Sequence, residues 1–378
     1  MHVLIVKLSS MGDLVQALPA LTDAQQAIPG IQFDWAVDEA FAEIPTWHPA
    51  IRNTIKTAHR RWRKNLFKVF FGGELSHFKK ELRAIEYDFV IDAQSNIKSS
   101  FVTRMARGLK CGPDKASVRE VGAQLAYKQT YAISKDQLAI NRWRELFSKV
   151  LGYELPTTDP DFSLSSHLPQ GNQAWPEPSV ELPSRPYLVF VHNASWDNKC
   201  WVNEHWRQLI QIADANGFDV LLPWGAEWER EQAEVLSQGF DHARVLPRLP
   251  LTEIASILTH SSGAVCVDTG LAHIAAALGV PMVTLYGPTD AKLIGAYGKH
   301  SVHLSAQGFE CTPCYKRSCA YQEYKGPEAQ CLKSFAAQQV WDEFMNVERK
   351  VKVDQAVTAE QVKAEQVKAG QTIEGQDL

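Results

Sequence analysis

The strongest constraint on the fold is an alternation of short apolar strands and helical segments that runs through the chain twice. The apolar run His2–Lys7 is typical of a strand buried on both faces of a sheet. Gln32–Val37 and Asp88–Ala93 are further strands of the first round, and a charged helical pattern around Glu74–Glu86 lies between them. Such an alternation predicts a parallel, doubly wound α/β sheet.

The alternation breaks off in a proline-rich stretch before residue 186 and then restarts. The second round predicts five strands and four helices. The strands are Tyr187–His192, Asp219–Pro223, Ala243–Leu246, Ala264–Val267 and Met282–Tyr286, and the helices are Asn203–Asn216, Glu227–Gln238, Leu251–His260 and Leu271–Leu278. We therefore predict two tandem domains, at 1–160 and 187–346, with a linker at 161–186 and a flexible tail at 347–378. In such sheets, ligands bind at the carboxyl ends of the strands, here in the cleft between the domains.

The charge balance differs between the two halves. Of the 378 residues, 45% are hydrophobic, which excludes a mostly disordered chain, and the net charge of −4 argues against a dedicated nucleic-acid binder. Residues 1–150 carry 22 Lys and Arg against 15 Asp and Glu, whereas residues 151–378 carry 17 against 28. The basic first half is therefore expected to meet an anionic partner.

The amino terminus lacks the pattern of a signal peptide, because Lys7 interrupts its short apolar run. We therefore expect a cytoplasmic protein whose seven cysteines are reduced.

The first strand-to-helix turn carries a carboxylate instead of a dinucleotide motif. It has one glycine, Gly12, where a dinucleotide fingerprint needs three, and the chain has no Walker-A loop, which argues against dehydrogenases and nucleotide triphosphatases. Asp13 follows Gly12 at this junction. It is either an acid stabilised by the helix dipole or a general base at the interdomain cleft.

A second junction combines a carboxylate, a glycine and a histidine. A buried strand ends at Asp268, and a helix of small residues begins at Thr269 and Gly270. Free backbone N–H groups there suit a phosphate, with His273 one turn further along. The alternative is that Asp268 or Thr269 only caps the helix.

Two further loops follow strands of the second domain. Ser195 and Lys199 could hold a phosphate by a hydroxyl and a charge, or they lie in an ordinary exposed loop. Glu229 could accept hydrogen bonds from a ribose diol, or it is a helix N-terminal acid.

Two other segments stand out by composition. The segment 56–68 holds six Lys and Arg and no acid, with Trp62 interleaved, and we interpret it as a surface for anions or anionic lipid. Four cysteines have the spacing C-x2-C-x4-C-x11-C, which indicates either a zinc or iron–sulfur site or reduced thiols in a packed loop. These are Cys311, Cys314, Cys319 and Cys331.

Several motifs, in order along both domains, together resemble those of the lipopolysaccharide heptosyltransferases. They are MHVLIVKLSSMGDLVQALP at 1–19, DAQQAIPGIQFDW at 23–35, RRWRK at 60–64, VIDAQ at 90–94, LPWGA at 222–226, DTGLAH at 268–273 and YGPTD at 286–290. The resemblance covers about residues 1–345 and leaves the cysteine segment and the tail unexplained.

The resemblance implies a GT-B fold and an inverting glycosyltransferase without a cofactor. It implies ADP-heptose as donor in the second domain and a Kdo residue of Kdo2-lipid A as acceptor in the first, at an anionic inner-membrane surface. Asp13 matches the catalytic base of the family. The positions implied for the donor are Ser195, Lys199, Glu229, Leu249, Asp268, Thr269, Gly270 and His273, and those implied for the acceptor are Arg60, Arg61, Arg63, Lys64 and Arg119.

Three other functions remain open. The chain could be another sugar transferase or a nucleotide-sugar epimerase on the same fold. It could also be a non-enzymatic scaffold for lipopolysaccharide or membranes, or a metal or redox protein built on the four cysteines.

Overall fold

Two parallel β-sheets form the framework of the protein. The computed structural model describes residues 1–62, 73–164, 175–321 and 328–354. The first sheet consists of β1 (His2–Val6), β2 (Gln32–Asp38), β3 (Ile51–Thr57), β4 (Tyr87–Asp92), β5 (Gly108–Pro113) and β6 (Gln129–Tyr131). The second consists of β7 (Tyr187–Val191), β8 (Asp219–Leu222), β9 (Ala243–Val245), β10 (Gly263–Val267), β11 (Met282–Tyr286) and β12 (Ser301–Ser305).

Helices connect successive strands. The first half contains α1 (Met11–Val15), α2 (Leu18–Ala27), α3 (Glu43–Thr46), α4 (His59–Trp62), α5 (Glu74–Leu82), α6 (Ile97–Met105) and α7 (Ala139–Leu151). The second half contains α8 (Asn203–Ala215), α9 (Glu227–Ser237), α10 (Leu251–Thr259), α11 (Gly270–Ala277), α12 (Ala291–Ile294), α13 (Gln330–Lys333) and a last helix, α14, over 337–354.

Both sheets share one topology. The strand orders are β3-β2-β1-β4-β5-β6 and β12-β11-β10-β7-β8-β9, with every pair parallel. The strand order reverses between β1 and β4 in one sheet and between β7 and β10 in the other. Ligands bind at such switch points, outside the carboxyl ends of the strands. The predicted pair of doubly wound sheets, the GT-B arrangement, is confirmed.

The two halves are joined by a shared apolar core and by hydrogen bonds. The core around Leu14 and Trp47 continues into Ile254 and Ala272 of the second half. Trp47 Nε1 also donates to Thr252 Oγ1 at 3.0 Å. The carboxyl ends of the two sheets are thereby held close together.

The linker and the tail have different structures. No helix or strand lies over the described residues 161–164 and 175–186, and residues 165–174 of the predicted linker lie outside the described residues, so the linker stays a prediction. The tail was predicted to begin at 347, but α14 runs on to 354. Val347 and Val351 are buried on one face of this helix, and that burial keeps the segment helical. Residues 355–378 of the predicted tail lie outside the described residues.

Several elements were not predicted from the sequence. β5 contains Gly108 and Pro113, which weaken a strand pattern, and it forms through its parallel pairing with β4. β6 has three residues and pairs with β5. α7 was also missed, although it supplies side chains to the site.

Candidate active site

Asp13 lies in the first turn of α1, immediately after the carboxyl end of β1. Its Oδ2 accepts hydrogen bonds from the backbone N of Ser10 at 3.1 Å and from Ser10 Oγ at 2.9 Å. Burial by itself raises the pKa of Asp13, but the charge of Lys7 and the bonds from Ser10 outweigh it and hold the pKa below its ordinary value. The carboxylate is therefore ionised at neutral pH, as a general base must be.

Lys7 is a buried lysine beneath this turn, with an exposed fraction of 2%. Its Nζ donates to the carbonyl oxygen of Ala93 at 3.0 Å and lies 3.8 Å from the centroid of the Trp143 ring. Burial lowers the pKa of Lys7 to about 8, although the charge of Asp13 acts to raise it. Lys7 thus supplies a positive charge to Asp13 while its hydrogen bond goes to the backbone.

The turn that carries Asp13 is fixed by the end of the neighbouring strand β4. The buried Gln94 accepts from the backbone N of Leu8 at 2.6 Å and of Ser9 at 3.0 Å. Asp92, which is fully buried, accepts from the backbone N of Gln94 and of Ser95 and so orients this loop. The VIDAQ motif at 90–94 therefore positions the turn that holds the base.

Two arginines extend the positive field around Asp13. Arg119 is exposed, its backbone N donates to Ser95 Oγ at 3.1 Å, and its charge acts on Asp13. Arg142 on α7 is half-buried and donates to the carbonyl oxygen of Leu293 at 3.4 Å. Among the described residues its Nε is buried without a partner. No sequence pattern indicated Arg142, because α7 is distant from α1 along the chain.

In the second half, Asp268 is the centre of the charged cluster. Its Oδ2 accepts from Lys199 Nζ and from Thr289 Oγ1, each at 2.5 Å. Lys199 Nζ also lies 4.8 Å from the centroid of the Trp196 ring. The structure therefore brings together two residues, Lys199 and Asp268, that the resemblance assigns to the donor, and adds Thr289.

The helix that follows Asp268 meets the helix that carries Asp13. Within the described part of the chain, the side chain of Thr269 makes no capping bond, so it leaves the first N–H groups of α11 uncapped. Gly270 packs against Met11, since an added Cβ would lie 2.6 Å from the Met11 Cβ. His273 packs on Gly12, where an added Cβ would lie 2.4 Å from His273 Cδ2. These glycines allow the two helix ends to approach.

The buried His273 lies in the electrostatic field of both charged clusters. Burial lowers its pKa, while the charges of Asp268 and Asp13 both act to raise it. The charges of the predicted base and of the predicted donor cluster therefore both act on one buried imidazole. Asp13 is also a helix N-terminal acid, since it accepts from the backbone N of Ser10 in a capping box, whereas Thr269 makes no such bond at the start of α11, so both interpretations of Asp13 stay open.

The remaining positions implied for the donor differ in their exposure and in their hydrogen bonds. Ser195 is exposed, and Leu249 is half-buried against the shared core. Glu229 Oε2 accepts from the backbone N of Gly225 at 2.7 Å and of Ala226 at 2.9 Å. Glu229 is thus a helix N-terminal acid, and a ribose hydroxyl would have to be met by its Oε1.

The basic segment differs from its sequence interpretation. The segment 56–68 holds no acid itself, but Arg61 forms ion pairs with Glu39 and Glu74 from other parts of the chain. Its charge is therefore compensated, unlike in the sequence interpretation. Trp62 is buried and packs edge-on against Phe78, at 5.5 Å between ring centroids. Arg63 and Lys64 lie outside the described residues, as does the side chain of Arg60.

The four cysteines border one small cavity of about 60 Å³ beside β11. Cys331 is buried, which raises the pKa of its thiol to about 11, and its Sγ lies against Gly287. In the ranges that the structure describes, no three His, Cys, Asp or Glu side chains are placed to hold a metal ion. The zinc or iron–sulfur interpretation stays a prediction.

Comparison with known proteins decides the family. A family model described as glycosyltransferase family 9 (heptosyltransferase) matches residues 75–325. The chain belongs to glycosyltransferase family 9. This family 9 chain is 46% identical over 323 residues to lipopolysaccharide heptosyltransferase 1 of Pseudomonas aeruginosa, covering 85% of the chain and 88% of that protein. It is 48% identical over 303 residues to the enzyme of the same name from Salmonella typhimurium, covering 80% and 93%.

A solved structure resembles the family 9 chain across both halves. The heptosyltransferase WaaC of E. coli with ADP is 42% identical, has a TM-score of 0.79 and is matched over 92% of this chain and 100% of that one. The structure of WaaC with ADP-2-deoxy-2-fluoro heptose gives a TM-score of 0.76. The chain is therefore a GT-B glycosyltransferase, not an epimerase or a non-enzymatic scaffold, and the role of its four cysteines stays a prediction.

Proposed function

We propose that the protein transfers L-glycero-D-manno-heptose from ADP-heptose to a Kdo residue of Kdo2-lipid A, with inversion. The observation that carries this proposal is the packing of the helix of Asp13 against the helix that follows Asp268, through the contacts of Gly12 with His273 and of Met11 with Gly270, with Lys199 paired to that Asp268. The relatives named heptosyltransferase 1 and the WaaC structures with ADP and with a fluorinated ADP-heptose support the donor.

The reaction is a single displacement. Asp13 accepts the proton of a Kdo hydroxyl while that oxygen forms a bond to the anomeric carbon of the heptose. The bond from this carbon to the diphosphate oxygen breaks, and ADP leaves with the bonding electron pair. Because the transition state resembles an oxocarbenium ion and ADP is a weakly basic leaving group, no general acid is required.

The donor cluster stabilises the charge that develops on ADP. Lys199 is held in place by Asp268, and the uncapped N–H groups of α11 face the same region. Both provide positive potential where the leaving diphosphate gains negative charge. Asp268 orients the heptose hydroxyls, and Ser195, Glu229 and Leu249 complete the nucleotide site.

The acceptor site is built around positive charge. Arg119 and Arg142 lie within electrostatic reach of Asp13 and suit the carboxylates of Kdo. We place the enzyme at the cytoplasmic face of the inner membrane, where a lipid-anchored acceptor is held. In the described ranges no helix is long and apolar enough to cross a bilayer.

Product analysis with donor and acceptor panels tests this function. ADP-heptose should be consumed with Kdo2-lipid A and yield a heptosylated lipid, whereas ADP-glucose and UDP-sugars should be poor donors. Turnover of ADP-heptose with only a different acceptor would keep the transfer and replace the Kdo assignment. Failure with every ADP-sugar would overturn the proposal.

A further inference from the structure

An exposed apolar patch lies on the first domain beside the acceptor side of the site. Ile97 and Phe101 are one turn apart on α6, with exposed fractions of 40% and 63%. Leu125 lies in the short 3₁₀ helix Ala123–Ala126, and Val121 lies just before it. Val121 is 75% exposed and Leu125 is 79% exposed. We call these four side chains the apolar patch.

The two segments of the apolar patch are joined to each other. The backbone N of Ile97 donates to Glu120 Oε2 at 2.9 Å. A Cβ added to Gly122 would lie 3.5 Å from Ile97 Cδ1, so the segment around Val121 rests on the start of α6. The apolar side chains therefore form one surface, and an exposed apolar surface marks an interaction site.

Positive charges lie on the same two segments of the chain as the apolar patch. Within residues 96–105 and 118–128 the charged side chains are four cations and one carboxylate. All four cations are exposed: Lys98, Arg104, Arg119 and Lys128. The carboxylate, Glu120, is occupied by the backbone N of Ile97. An apolar centre with a basic rim is the composition of proteins that lie on anionic lipid.

A second helix with exposed apolar side chains has the opposite surroundings. α9 exposes Val235, at 50%, together with Trp228. The carboxylates of Glu227, Glu231 and Glu234 lie on the same helix, and Arg230 pairs with two of them. An anionic membrane would be repelled there, so charge distinguishes the two apolar surfaces.

We propose that the apolar patch and its basic rim dock the protein on an anionic phospholipid bilayer. The four apolar side chains enter the boundary between headgroups and acyl chains, and Lys98, Arg104 and Lys128 contact lipid phosphates, while Arg119 stays assigned to the acceptor site. The biological purpose of this contact rests on the proposed function, since the acceptor is anchored in that bilayer. Ser95 accepts from the backbone N of Arg119 and follows Gln94, which holds the turn of Asp13. Docking therefore brings the acceptor side of the site to the lipid surface.

Sedimentation with vesicles tests the docking surface directly. Wild-type protein should bind vesicles of phosphatidylglycerol and phosphatidylethanolamine and bind phosphatidylcholine vesicles much more weakly. The double variant Phe101→Glu/Leu125→Glu should bind the anionic vesicles at least about tenfold more weakly, because two apolar side chains no longer leave water. Val235→Glu is the matched control and should bind like wild type. Thermal melting should be unchanged in all variants, since the replaced side chains are exposed.

The basic rim is tested separately. Lys98→Glu/Lys128→Glu should weaken binding to the anionic vesicles at least about fivefold and should flatten its salt dependence. Equal binding to phosphatidylcholine, or no effect of this variant, would contradict the role of the rim. The proposal is overturned if wild-type protein does not bind anionic vesicles, or if Phe101→Glu/Leu125→Glu and Val235→Glu behave alike.

A last measurement separates docking from heptose transfer. Vesicle binding needs neither donor nor acceptor, so it stands even if the protein has a different transferase activity. On a deacylated, water-soluble acceptor, Phe101→Glu/Leu125→Glu should turn over like wild type. A loss of turnover on that acceptor would place the apolar patch inside the acceptor site and would overturn its assignment to the bilayer.

Discussion

Each half of the protein places one lysine and one aspartate at its switch point, but the two pairs are built differently. In the second half, Lys199 Nζ contacts Asp268 directly at 2.5 Å. In the first half, Lys7 gives its hydrogen bond to the backbone of Ala93 and acts on Asp13 only through its field. A direct ion pair occupies the carboxylate, whereas an indirect one keeps it ionised and open to a proton. The comparison fits the proposed roles, in which Asp13 accepts a proton and Lys199 stabilises the negative charge of the diphosphate.

Replacing Asp13, the proposed base, should have the largest effect on the rate. Asp13→Asn removes the proton acceptor but keeps the shape of the side chain, so the rate should fall about 10²–10⁴-fold. ADP affinity should be nearly unchanged, because Lys199 and Asp268 are intact. Steady-state kinetics and calorimetry measure the two effects.

The matched control for Asp13→Asn is Asp136→Asn, an exposed aspartate in the same half, which should retain wild-type turnover. Near-normal turnover of Asp13→Asn with the donor still bound would refute the assignment of the base.

Removing the lysine of the direct pair should act on binding. Lys199→Met leaves the Asp268 carboxylate uncompensated beside the diphosphate, so ADP should bind about 10–100-fold more weakly. Calorimetry with ADP measures the change. The exposed Lys299→Met is the control, and an ADP affinity of Lys199→Met equal to that of the control would contradict the role of Lys199.

The indirect pair should be visible in the pH dependence of the rate. Asp13 has a lowered pKa, so kcat/KM should stay high down to pH values below the ordinary range of a carboxyl group. The charge of Lys7 is present at all pH values below about 8, so it lowers the pKa of Asp13 throughout the acid limb. In Lys7→Met the acid limb should move to higher pH, because burial alone raises the pKa of Asp13. An unchanged profile in Lys7→Met would show that the two charges are not coupled.

The smallest effect is expected at the edge of the donor site. Glu229→Ala loses two hydrogen bonds at the start of α9, which should cost about 1 kcal/mol and lower the melting temperature by about 2 °C. ADP affinity should fall about threefold if Oε1 meets the ribose. Glu231→Ala, exposed on the same helix, should change neither quantity, and identical behaviour of the two variants would remove Glu229 from the donor site.

Local patterns predicted the junction residues well. An apolar strand followed by a polar turn placed Asp13 and Asp268 at strand-to-helix junctions, where Asp13 lies in the first turn of α1 and Asp268 directly follows β10. The same reasoning failed for Arg61, because Glu39 and Glu74 reach it from other elements. It also missed Arg142, which joins the site only through the packing of α7, a helix far along the chain from Asp13. Contacts between distant segments leave no periodic signal in either segment.

The sequence by itself determined the two doubly wound sheets and the edge of each sheet at which polar groups gather, because strand and helix periodicities are local. Its motifs indicated the family. Only the tertiary structure decided which charges are paired and which stay available. It bonded Lys199 to Asp268, left Asp13 open above a buried Lys7 and gathered four apolar side chains on one face. Those outcomes depend on burial and on distances of a few ångströms between segments that are remote in the chain, and electrostatic energies change steeply over such distances.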